Sequence, residues 1–353
     1  IIDEAIEQFL QKAKLKSSVD IFMPLIKSAT KRGRKLRSSL ALRYLNWETF
    51  SKGMGNGTFS KGIGEETFSK EGKPYKDLLE GLSAVELLHS ASCIIDDIID
   101  GDTQRRNIPS FHVREGIPEA QLVALEIILL QSYLGNPKIR REITDASRLM
   151  LQGEACDSFP FDKFTKLVAR YNSNEDNLKD DNQLLNHNCL LNSYILKTAP
   201  SFAVSHKIIG IAYGLSETEI IALEKYGHSL GVFYQYANDY HDTFSISPEV
   251  RGDSSDEARV TLSMPILIAL DRNYDVYSGI IGKSMPRSEI SGLVQKMRED
   301  GIEEKAREML EESKQNVLQN YANHQKKDNN PLNCPDELRV LVDIISKSDF
   351  WSY

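Results

Sequence analysis

The segment Glu86-Leu-Leu-His-Ser-Ala-Ser-Cys-Ile-Ile-Asp-Asp-Ile-Ile-Asp100 decides the fold of this chain. It continues a run in which apolar residues recur every three or four positions from Leu79, the spacing of a helix with one buried face. On such a helix Asp96 and Asp100 stand one turn apart on the same face, with Asp97 beside them. The same period dominates most of the sequence and strand-like alternation is scarce, so we expect an all-α protein.

Three carboxylates at the end of a mostly apolar helix need a counter-charge. As bare buried anions they would repel one another and lose their hydration. A hard divalent cation resolves this, because Mg²⁺ accepts one or two carboxylates, keeps several waters and completes its shell with phosphate oxygens of a substrate. An exposed acidic helix end, followed by Gly101 and Asp102, is the alternative, and the carboxylates alone do not choose between the two.

Cations follow these carboxylates in the segment Thr103-Gln-Arg-Arg-Asn-Ile-Pro-Ser-Phe-His112. The guanidinium groups of Arg105 and Arg106 are suited to phosphate oxygens that a metal leaves free. The order Asp-Asp-Ile-Ile-Asp, Arg-Arg, Pro-x-x-His resembles the first aspartate-rich motif of the trans-isoprenyl diphosphate synthases. It is most similar to the motif of eukaryotic, particularly fungal, geranylgeranyl diphosphate synthases. The resemblance implies a single large helical domain of the class I isoprenoid synthase type with a central active-site cavity.

Further matches to this family precede the motif. Gly33-Arg-Lys-Leu-Arg37 resembles the family's Gly-Gly-Lys-x-x-Arg, with an arginine at the lysine position. The resemblance implies a set of residues that binds the diphosphate of isopentenyl diphosphate, namely Arg34, Arg37, His89 and Arg106. A solvated basic run at 31–37 and an ordinary half-buried histidine are the alternative interpretations.

Other matches follow the motif. Gly153-Glu-Ala-Cys-Asp157 resembles the family's Gly-Gln-x-x-Asp with Glu154 in place of glutamine, and Lys197-Thr198 matches a conserved Lys-Thr pair of the family. Ala258-Arg-Val-Thr261 stands where the family has Gly-Lys-x-Thr. The resemblance implies that the allylic diphosphate is bound by Arg105, Lys197, Thr198, Gln235 and Arg259.

The second aspartate-rich motif departs from the family pattern. The family has Asp-Asp-x-x-Asp, whereas this chain has Asn238, Asp239 and Asp242. An amide oxygen can ligate a hard cation but brings no charge, so we expect weaker metal binding here. His241 lies on a different side of this helix, and we expect a solvent-exposed or indirect role for it.

These matches imply a magnesium-dependent enzyme with three Mg²⁺ ions. The implied metal ligands are Asp96, Asp97, Asp100, Asn238, Asp239 and Asp242. The implied catalytic residues are Asp96, Asp97, Asp100, Lys197 and Asp239. The family resemblance also implies a homodimer.

The implied reaction is the ionisation of an allylic prenyl diphosphate and its condensation with isopentenyl diphosphate. The residues implied to bind isopentenyl diphosphate favour elongation, because a cyclase does not bind this second diphosphate. Three alternatives stay open: a class I terpene cyclase, prenyl transfer to a non-isoprenoid acceptor, and a non-catalytic subunit that regulates a partner.

Product length in this family is limited by side chains below the first motif. Position 91, five residues before Asp96, carries a large aromatic in short-chain synthases, whereas this chain has Ala91 and Ser92. Leu88 lies a further turn down and could form a deeper floor. We expect a product of geranylgeranyl length or longer, and the segment 124–130 is a second candidate for the floor.

Composition limits the partners of the chain. With 353 residues and 41% hydrophobic content it can bury a large core, and a net charge of -8 gives no footprint for nucleic acid. Four separated cysteines without a CxxC pair predict a reduced, cytoplasmic compartment. We expect no transmembrane segment, since Val123–Leu130 is the most apolar run. The sequence begins at Ile1 without a methionine, which leaves room for a removed targeting segment.

We expect one domain over residues 1–353 with one inserted loop at 48–74. In this loop the tetrad Thr-Phe-Ser-Lys recurs at Thr49, Thr58 and Thr67 between glycines. Such glycine density disfavours a fixed structure, and a nine-residue period is too short for a repeat of stacked helices. We interpret it as a duplication in a surface loop.

Overall fold

The computed structural model describes residues 1–14, 22–30, 35–53, 72–105, 108–158, 191, 194–245, 257–324 and 336–347. Helices dominate these residues, and the strands are only two or three residues long. The prediction of an all-α protein is confirmed by this architecture.

The helices are numbered here in chain order: α1 (Ile2–Lys14), α2 (Met23–Thr30), α3 (Leu36–Gly53), α4 (Lys73–Asp100), α5 (Phe111–Glu115), α6 (Ile117–Leu129), α7 (Pro137–Ser158), α8 (Ala199–Ala212), α9 (Glu217–Tyr240), α10 (Met264–Arg272), α11 (Tyr274–Tyr277), α12 (Arg287–Glu299), α13 (Ile302–His324) and α14 (Asp336–Ile345). Two 3₁₀ segments, Leu130–Tyr133 and Ser278–Ile280, follow α6 and α11, and one π-helical turn, His241–Ser245, follows α9.

Two short antiparallel strand pairs interrupt the helices. β1 (Gln104–Arg105) pairs with β2 (Ile108–Pro109), and β3 (Glu257–Arg259) pairs with β4 (Ser284–Pro286). The first pair puts Arg105 opposite Ile108 immediately after α4. It therefore holds Arg105 close to the aspartates at the end of that helix.

Helix α4 is the centre of the fold and contacts α1, α6, α7 and α8. It ends at Gly101, whose φ of 72° is a left-handed conformation that glycine adopts without strain. The Gly101 N–H donates to the Asp97 carbonyl and closes the last turn. This C-terminal turn carries all three carboxylates of the first motif.

Helices α8 and α9 make the most extensive helix contact in the described part of the chain. Two glycines of α9 permit it. A Cβ at Gly227 would lie 2.5 Å from the Phe202 carbonyl oxygen, and one at Gly231 would lie 2.6 Å from Ala199 Cα. Because no side chain separates the two backbones, the start of α8 has a fixed position relative to the end of α9.

One described helix, α4, is long and apolar enough to cross a membrane by length and composition alone. In this fold 61% of its most apolar window is buried inside the protein, as in the core helix of a globular domain. The apolar run singled out in the sequence, Val123–Leu130, lies in α6 and the following 3₁₀ segment.

The loop expected at 48–74 overlaps described helices at both of its ends. The backbone of α3 continues to Gly53, and α4 already begins at Lys73, with Pro74 in its first turn. Proline is well tolerated there because the first N–H groups of a helix have no partner within it. The glycine-rich residues 54–71 lie outside the described residues.

Candidate active site

A cavity of about 1420 Å³ opens between the ends of α4 and α9. Both aspartate-rich motifs line it, and so do most of the cations that were predicted to bind diphosphate. Residues from the two motifs that line the cavity are Asp96, Asp97, Asp100, Asn238, Asp239 and Asp242. The structure thus brings together two motifs that are more than a hundred residues apart in the sequence.

Two of the three carboxylates of the first motif, Asp96 and Asp97, are paired with cations. Arg105 donates from Nη2 to Asp96 Oδ2 at 2.7 Å and from Nε to Asp97 Oδ1 at 2.6 Å. Lys197 Nζ lies 2.8 Å from Asp96 Oδ1. Carboxylates at a helix C-terminus are unfavourable beside the negative end of the helix dipole, so these cations offset that cost.

The two adjacent aspartates differ in acidity. Burial acts to raise the pKa of Asp96, but the Lys197 ammonium and the Arg105 guanidinium outweigh it and lower the pKa overall. Burial also raises the pKa of Asp97, to about 6, because Arg105 compensates only in part. Both carboxyls are therefore mainly ionised at neutral pH, and Asp97 is the one that takes up a proton first as the pH falls towards 6.

Lys197 is positioned by a close backbone contact. A Cβ at Gly153 of α7 would lie 2.2 Å from the Lys197 backbone nitrogen, which no ordinary residue permits. This contact brings Glu154 to 3.4 Å from Lys197 Nζ. The glycine of the Gly-Glu-x-x-Asp segment is thus explained by packing, and Glu154 adds a carboxylate to the cavity wall.

The second motif is held by neutral donors. Asn238 Nδ2 donates to Asp242 Oδ2 at 3.0 Å, so its amide oxygen points away from that carboxylate. Asp239 Oδ2 accepts from the Met264 backbone N–H at 2.9 Å and from the Tyr194 hydroxyl. Burial and the Asp239 carboxylate raise the pKa of Tyr194 well above its usual value, which keeps this hydroxyl protonated.

Gln235 and Thr198 line the cavity beside Lys197. Gln235 is buried, and its Nε2 donates to the Tyr194 carbonyl at 3.2 Å. Among the described residues no donor reaches its Oε1. A buried amide oxygen without a donor favours a ligand that brings positive charge or a proton to it.

A second group of cations lines the cavity near α3. Arg37 is buried, donates from Nε to Ser201 Oγ at 2.7 Å and lies 5.0 Å from the Phe202 ring centre. Lys35 has an unusual positive φ of 48° and donates to the Thr30 carbonyl at 2.5 Å. His89 faces the same space and lies 3.7 Å from Cys93 Sγ.

Three predicted binding residues cannot be compared with this geometry. Arg34 and Arg106 lie outside the described residues. Arg259 is described only through its backbone in β3, and its side chain lies outside the description. Their assignments stay predictions.

The predicted chain-length residues occupy two different positions. Leu88 and Ser92 line the cavity below Asp96. Ala91 is fully buried and is not among the lining residues, so it packs behind this wall. Ile128 of α6 and Met150 of α7 line the cavity as well. The segment 124–130 therefore does contribute to the wall, through one residue.

A divalent cation fits this donor set. The two motifs offer carboxylate and amide oxygens from opposite sides of one cavity, and Mg²⁺ prefers oxygen ligands. Within the described residues no three acidic, histidine or cysteine side chains form a ready metal cage. Mg²⁺ needs none, because it takes one or two carboxylates and fills its shell with water and phosphate oxygens.

His241 is buried rather than solvent-exposed, which corrects one of the two roles expected for it. It is only 4% exposed, and its Nε2 lies 2.9 Å from the carbonyl oxygen of Ser346, the residue that follows α14. The Ser346 contact joins residues 105 positions apart, so the local helical pattern could not predict it.

Tyr194 and Glu154 were not among the predicted site residues. Tyr194 contacts Asp239, and Glu154 contacts Lys197. A signal for Tyr194 existed in the sequence, because it stands three residues before Lys197 and a helical turn would direct both to one side.

The helical layers, the central cavity and its two facing acidic motifs define an all-α isoprenoid synthase type of protein. The model of the polyprenyl synthetase family matches residues 20–297, and the chain belongs to this family. The family that the sequence motifs predicted is confirmed by this match.

Individual relatives are similar at modest identity. A short chain isoprenyl diphosphate synthase of Methanothermobacter thermautotrophicus is 27% identical over 200 residues, which is 54% of this chain and 55% of that protein. The chain thus spans about half the length of this curated relative.

Two solved structures share the fold over nearly the whole chain. A polyprenyl synthase from Caulobacter crescentus, in complex with calcium and isoprenyl diphosphate, has a TM-score of 0.63 at 18% identity and covers 98% of this chain and 94% of its own. A geranylgeranyl pyrophosphate synthase from Corynebacterium glutamicum, with isoprenyl diphosphate and magnesium, has a TM-score of 0.61 at 18% identity, with 98% and 96% covered. At this identity the likeness concerns the fold.

Proposed function

We propose that the chain condenses an allylic prenyl diphosphate with isopentenyl diphosphate and releases a prenyl diphosphate of geranylgeranyl length or longer. The observation that carries the proposal is the presence of two cationic groups in one cavity. Lys197 and Arg105 lie at the first acidic motif, and Lys35 and Arg37 lie at the start of α3. Two anionic groups can therefore be held in one cavity, as a reaction between two diphosphates requires.

We propose magnesium as the metal, with three ions, of which the third would be held at the second motif. Both solved relatives named above carry a divalent metal with isoprenyl diphosphate, which supports this choice. When bound, the metal would stabilise the negative charge that develops on the leaving diphosphate. Asp96, Asp97 and Asp100 would hold it on one side of the cavity, and Asn238, Asp239 and Asp242 on the other.

The chain's own residues would assist the ionisation in three ways. Lys197 and Arg105 can turn from their carboxylates to the leaving oxygens. The start of α8 after Thr198 contributes the positive end of a helix dipole. The Gln235 amide oxygen and the Thr198 hydroxyl can stabilise the allylic cation, since both line this part of the cavity.

The apolar part of the wall would hold the prenyl tail and exclude water. Leu88, Ile128 and Met150 supply it. Exclusion of water matters because water would capture the cation as an alcohol before isopentenyl diphosphate could react.

We propose a homodimer that forms through α6. Leu122, Leu125 and Leu129 recur on one face of this helix, and each is more than half exposed. A contiguous row of exposed leucines favours a protein contact. Leu125→Glu should convert the dimer to a monomer in analytical ultracentrifugation, whereas an unchanged sedimentation coefficient would place the contact elsewhere.

A terpene cyclase or a transferase to another acceptor remains the second candidate, because Asn238 departs from the family motif. The test is an assay with a labelled allylic diphosphate and Mg²⁺, with and without isopentenyl diphosphate. The proposal expects a longer prenyl diphosphate only when isopentenyl diphosphate is present. A hydrocarbon or cyclic alcohol formed without isopentenyl diphosphate would identify a cyclase, and no reaction in either assay would favour a regulatory subunit.

A further inference from the structure

The helix that carries Asn238 and Asp239 does not continue regularly to Asp242. Helix α9 ends at Tyr240, and Asp242 lies in the π-helical turn His241–Ser245. Such turns are rare and occur mostly as single turns inside or next to α-helices, often at functional sites. The direction of the Asp242 carboxylate therefore depends on what holds this turn in place.

His241 contacts one residue of its own turn and one residue from a distant part of the chain. Its Nε2 lies 2.9 Å from the Ser346 carbonyl oxygen, and its Nδ1 lies 2.9 Å from Ser245 Oγ. A carbonyl oxygen can only accept, so Nε2 carries the proton and Nδ1 accepts from the Ser245 hydroxyl. Both ring nitrogens are thus used, one within the turn and one at the residue that follows α14.

Helix α12 fastens the same turn at a second point. Arg298 donates from Nη2 to the Phe244 carbonyl at 2.9 Å, and its guanidinium lies 5.9 Å from the Phe244 ring centre. The Nε of Arg298 is fixed in turn by Glu303 of α13 at 3.0 Å. Three C-terminal helices therefore contribute to the position of one turn of the second motif.

We propose that His241 is a positioning residue for Asp242, and that α14 thereby supports the second metal motif although it lies outside the cavity. The inference rests on the proposed metal-binding role of that motif. Without its hydrogen bonds the turn relaxes, and Asp242 no longer faces Asn238 at the 3.0 Å separation seen here. Because the coupling is reciprocal, ligand binding at the motif must also tighten the docking of α14.

Two variants separate positioning from packing. His241→Leu removes both hydrogen bonds and fills the buried site with an apolar side chain. His241→Gln retains a side-chain N–H that can donate to the Ser346 carbonyl. Titration calorimetry with inorganic pyrophosphate in the presence of Mg²⁺ should give about tenfold weaker binding for His241→Leu, in the range typical of lost outer hydrogen bonds at metal sites, and substantial recovery for His241→Gln.

Hydrogen exchange gives a measurement that is independent of turnover. In the wild-type protein Mg²⁺ with pyrophosphate should slow amide exchange in α14, and in His241→Leu it should not. Ile6→Ala is the matched control for general destabilisation, since Ile6 is a buried core residue of α1. This control should lower the melting temperature without weakening pyrophosphate binding.

The inference is overturned if His241→Leu binds Mg²⁺ and pyrophosphate as tightly as the wild type. If His241→Leu does not fold, hydrogen exchange in the wild-type protein is the test. Amide exchange in α14 that Mg²⁺ and pyrophosphate leave unchanged also overturns the inference. A wild-type protein that binds no pyrophosphate with Mg²⁺ would overturn the proposed metal site, and the inference with it. Failure of the condensation assay alone would contradict only the proposed function.

Discussion

Lys197 Nζ lies 2.8 Å from Asp96 Oδ1, which pairs a cation expected to bind diphosphate with a carboxylate expected to bind a metal. Neither partner is available to its ligand while the pair persists. A metal alone would leave Lys197 beside a second cation, and diphosphate alone would leave Asp96 beside an anion. The two ligands together replace the pair without leaving an unmatched charge.

This arrangement predicts strong coupling between metal and diphosphate. Pyrophosphate should bind at least about tenfold more tightly with Mg²⁺ than without it, and Mg²⁺ should gain the same factor from pyrophosphate. Calorimetric titrations in both orders measure this coupling. Lys197→Met should reduce it, whereas Lys207→Met should not, although Lys207 also bridges two carboxylates, those of Glu142 and Glu224. Equal pyrophosphate affinity with and without Mg²⁺ would contradict the prediction.

Asn238→Asp should lower the Mg²⁺ concentration needed for half-maximal activity. The substitution replaces the Asn238–Asp242 hydrogen bond with two carboxylates that repel each other until a cation is bound. The variant should therefore melt at a lower temperature than the wild type without Mg²⁺ and regain stability with it. Loss of activity at all Mg²⁺ concentrations would mean that the amide itself is required, as in a cyclase or a transferase to another acceptor.

Gly153→Ala should impair catalysis through the backbone at Lys197. The added Cβ would lie 2.2 Å from the Lys197 nitrogen, so α7 and the Lys197 turn must separate. We expect turnover to fall by more than about tenfold while circular dichroism keeps its helical signal. Gly292→Ala is the control, because no described atom lies within 4 Å of a Cβ at that position. Wild-type turnover in Gly153→Ala would contradict the contact.

The two neighbours below the first motif should respond differently to a large side chain. Ser92→Phe would place a ring in the cavity and should shorten the product by displacing the tail. Ala91→Phe would place the ring in the fully buried core and should destabilise the protein by about 1–3 kcal/mol or more. Chromatography of dephosphorylated products and thermal melting measure the two effects. If only Ala91→Phe shortens the product, then Ala91 rather than Ser92 contacts the tail, and the prediction is wrong.

His206 should make the fold sensitive to acid. It is fully buried between Tyr44 and Tyr226, and burial lowers its pKa from 6.5 to about 4. The unfolded chain takes up a proton near pH 6.5 but the folded chain does not, so its stability is complete above pH 6.5 and falls as the pH drops towards 4.

Protonation linked to His206 alone should lower the free energy of unfolding by about 3 kcal/mol near pH 4. Denaturant unfolding at pH 7 and pH 4.5 measures it, and His206→Leu should show a smaller difference between the two pH values. An equal difference in wild type and variant would mean that other groups cause the acid sensitivity.

The sequence predicted the parts of the site that are encoded locally. Apolar spacing places Asp96 and Asp100 on one face at the end of a helix, and the structure has them in the last turn of α4. The meeting of this helix with Asn238 was accessible only through the family resemblance, because no local period links residues so far apart.

Contacts made by distant segments could not be predicted. His241 contacts the backbone carbonyl of Ser346. Every residue has such a carbonyl, so the residue types in the sequence do not indicate this contact. The pairing of Arg105 with Asp97 was likewise unforeseen, since both were assigned to ligands rather than to each other. Ala91 was assigned to the wall from the family resemblance, although helical spacing turns it about 140° away from Asp96.

One unbroken helix, α4, carries both Asp96 and the wall residues Ser92 and Leu88. At 1.5 Å per residue the two wall residues lie about 6 and about 12 Å along the axis from Asp96. A helical turn is similar in length to one five-carbon unit of a prenyl chain. Under the proposed function, moving a bulky side chain along the cavity-facing side of α4 by one turn should therefore change the product by one five-carbon unit.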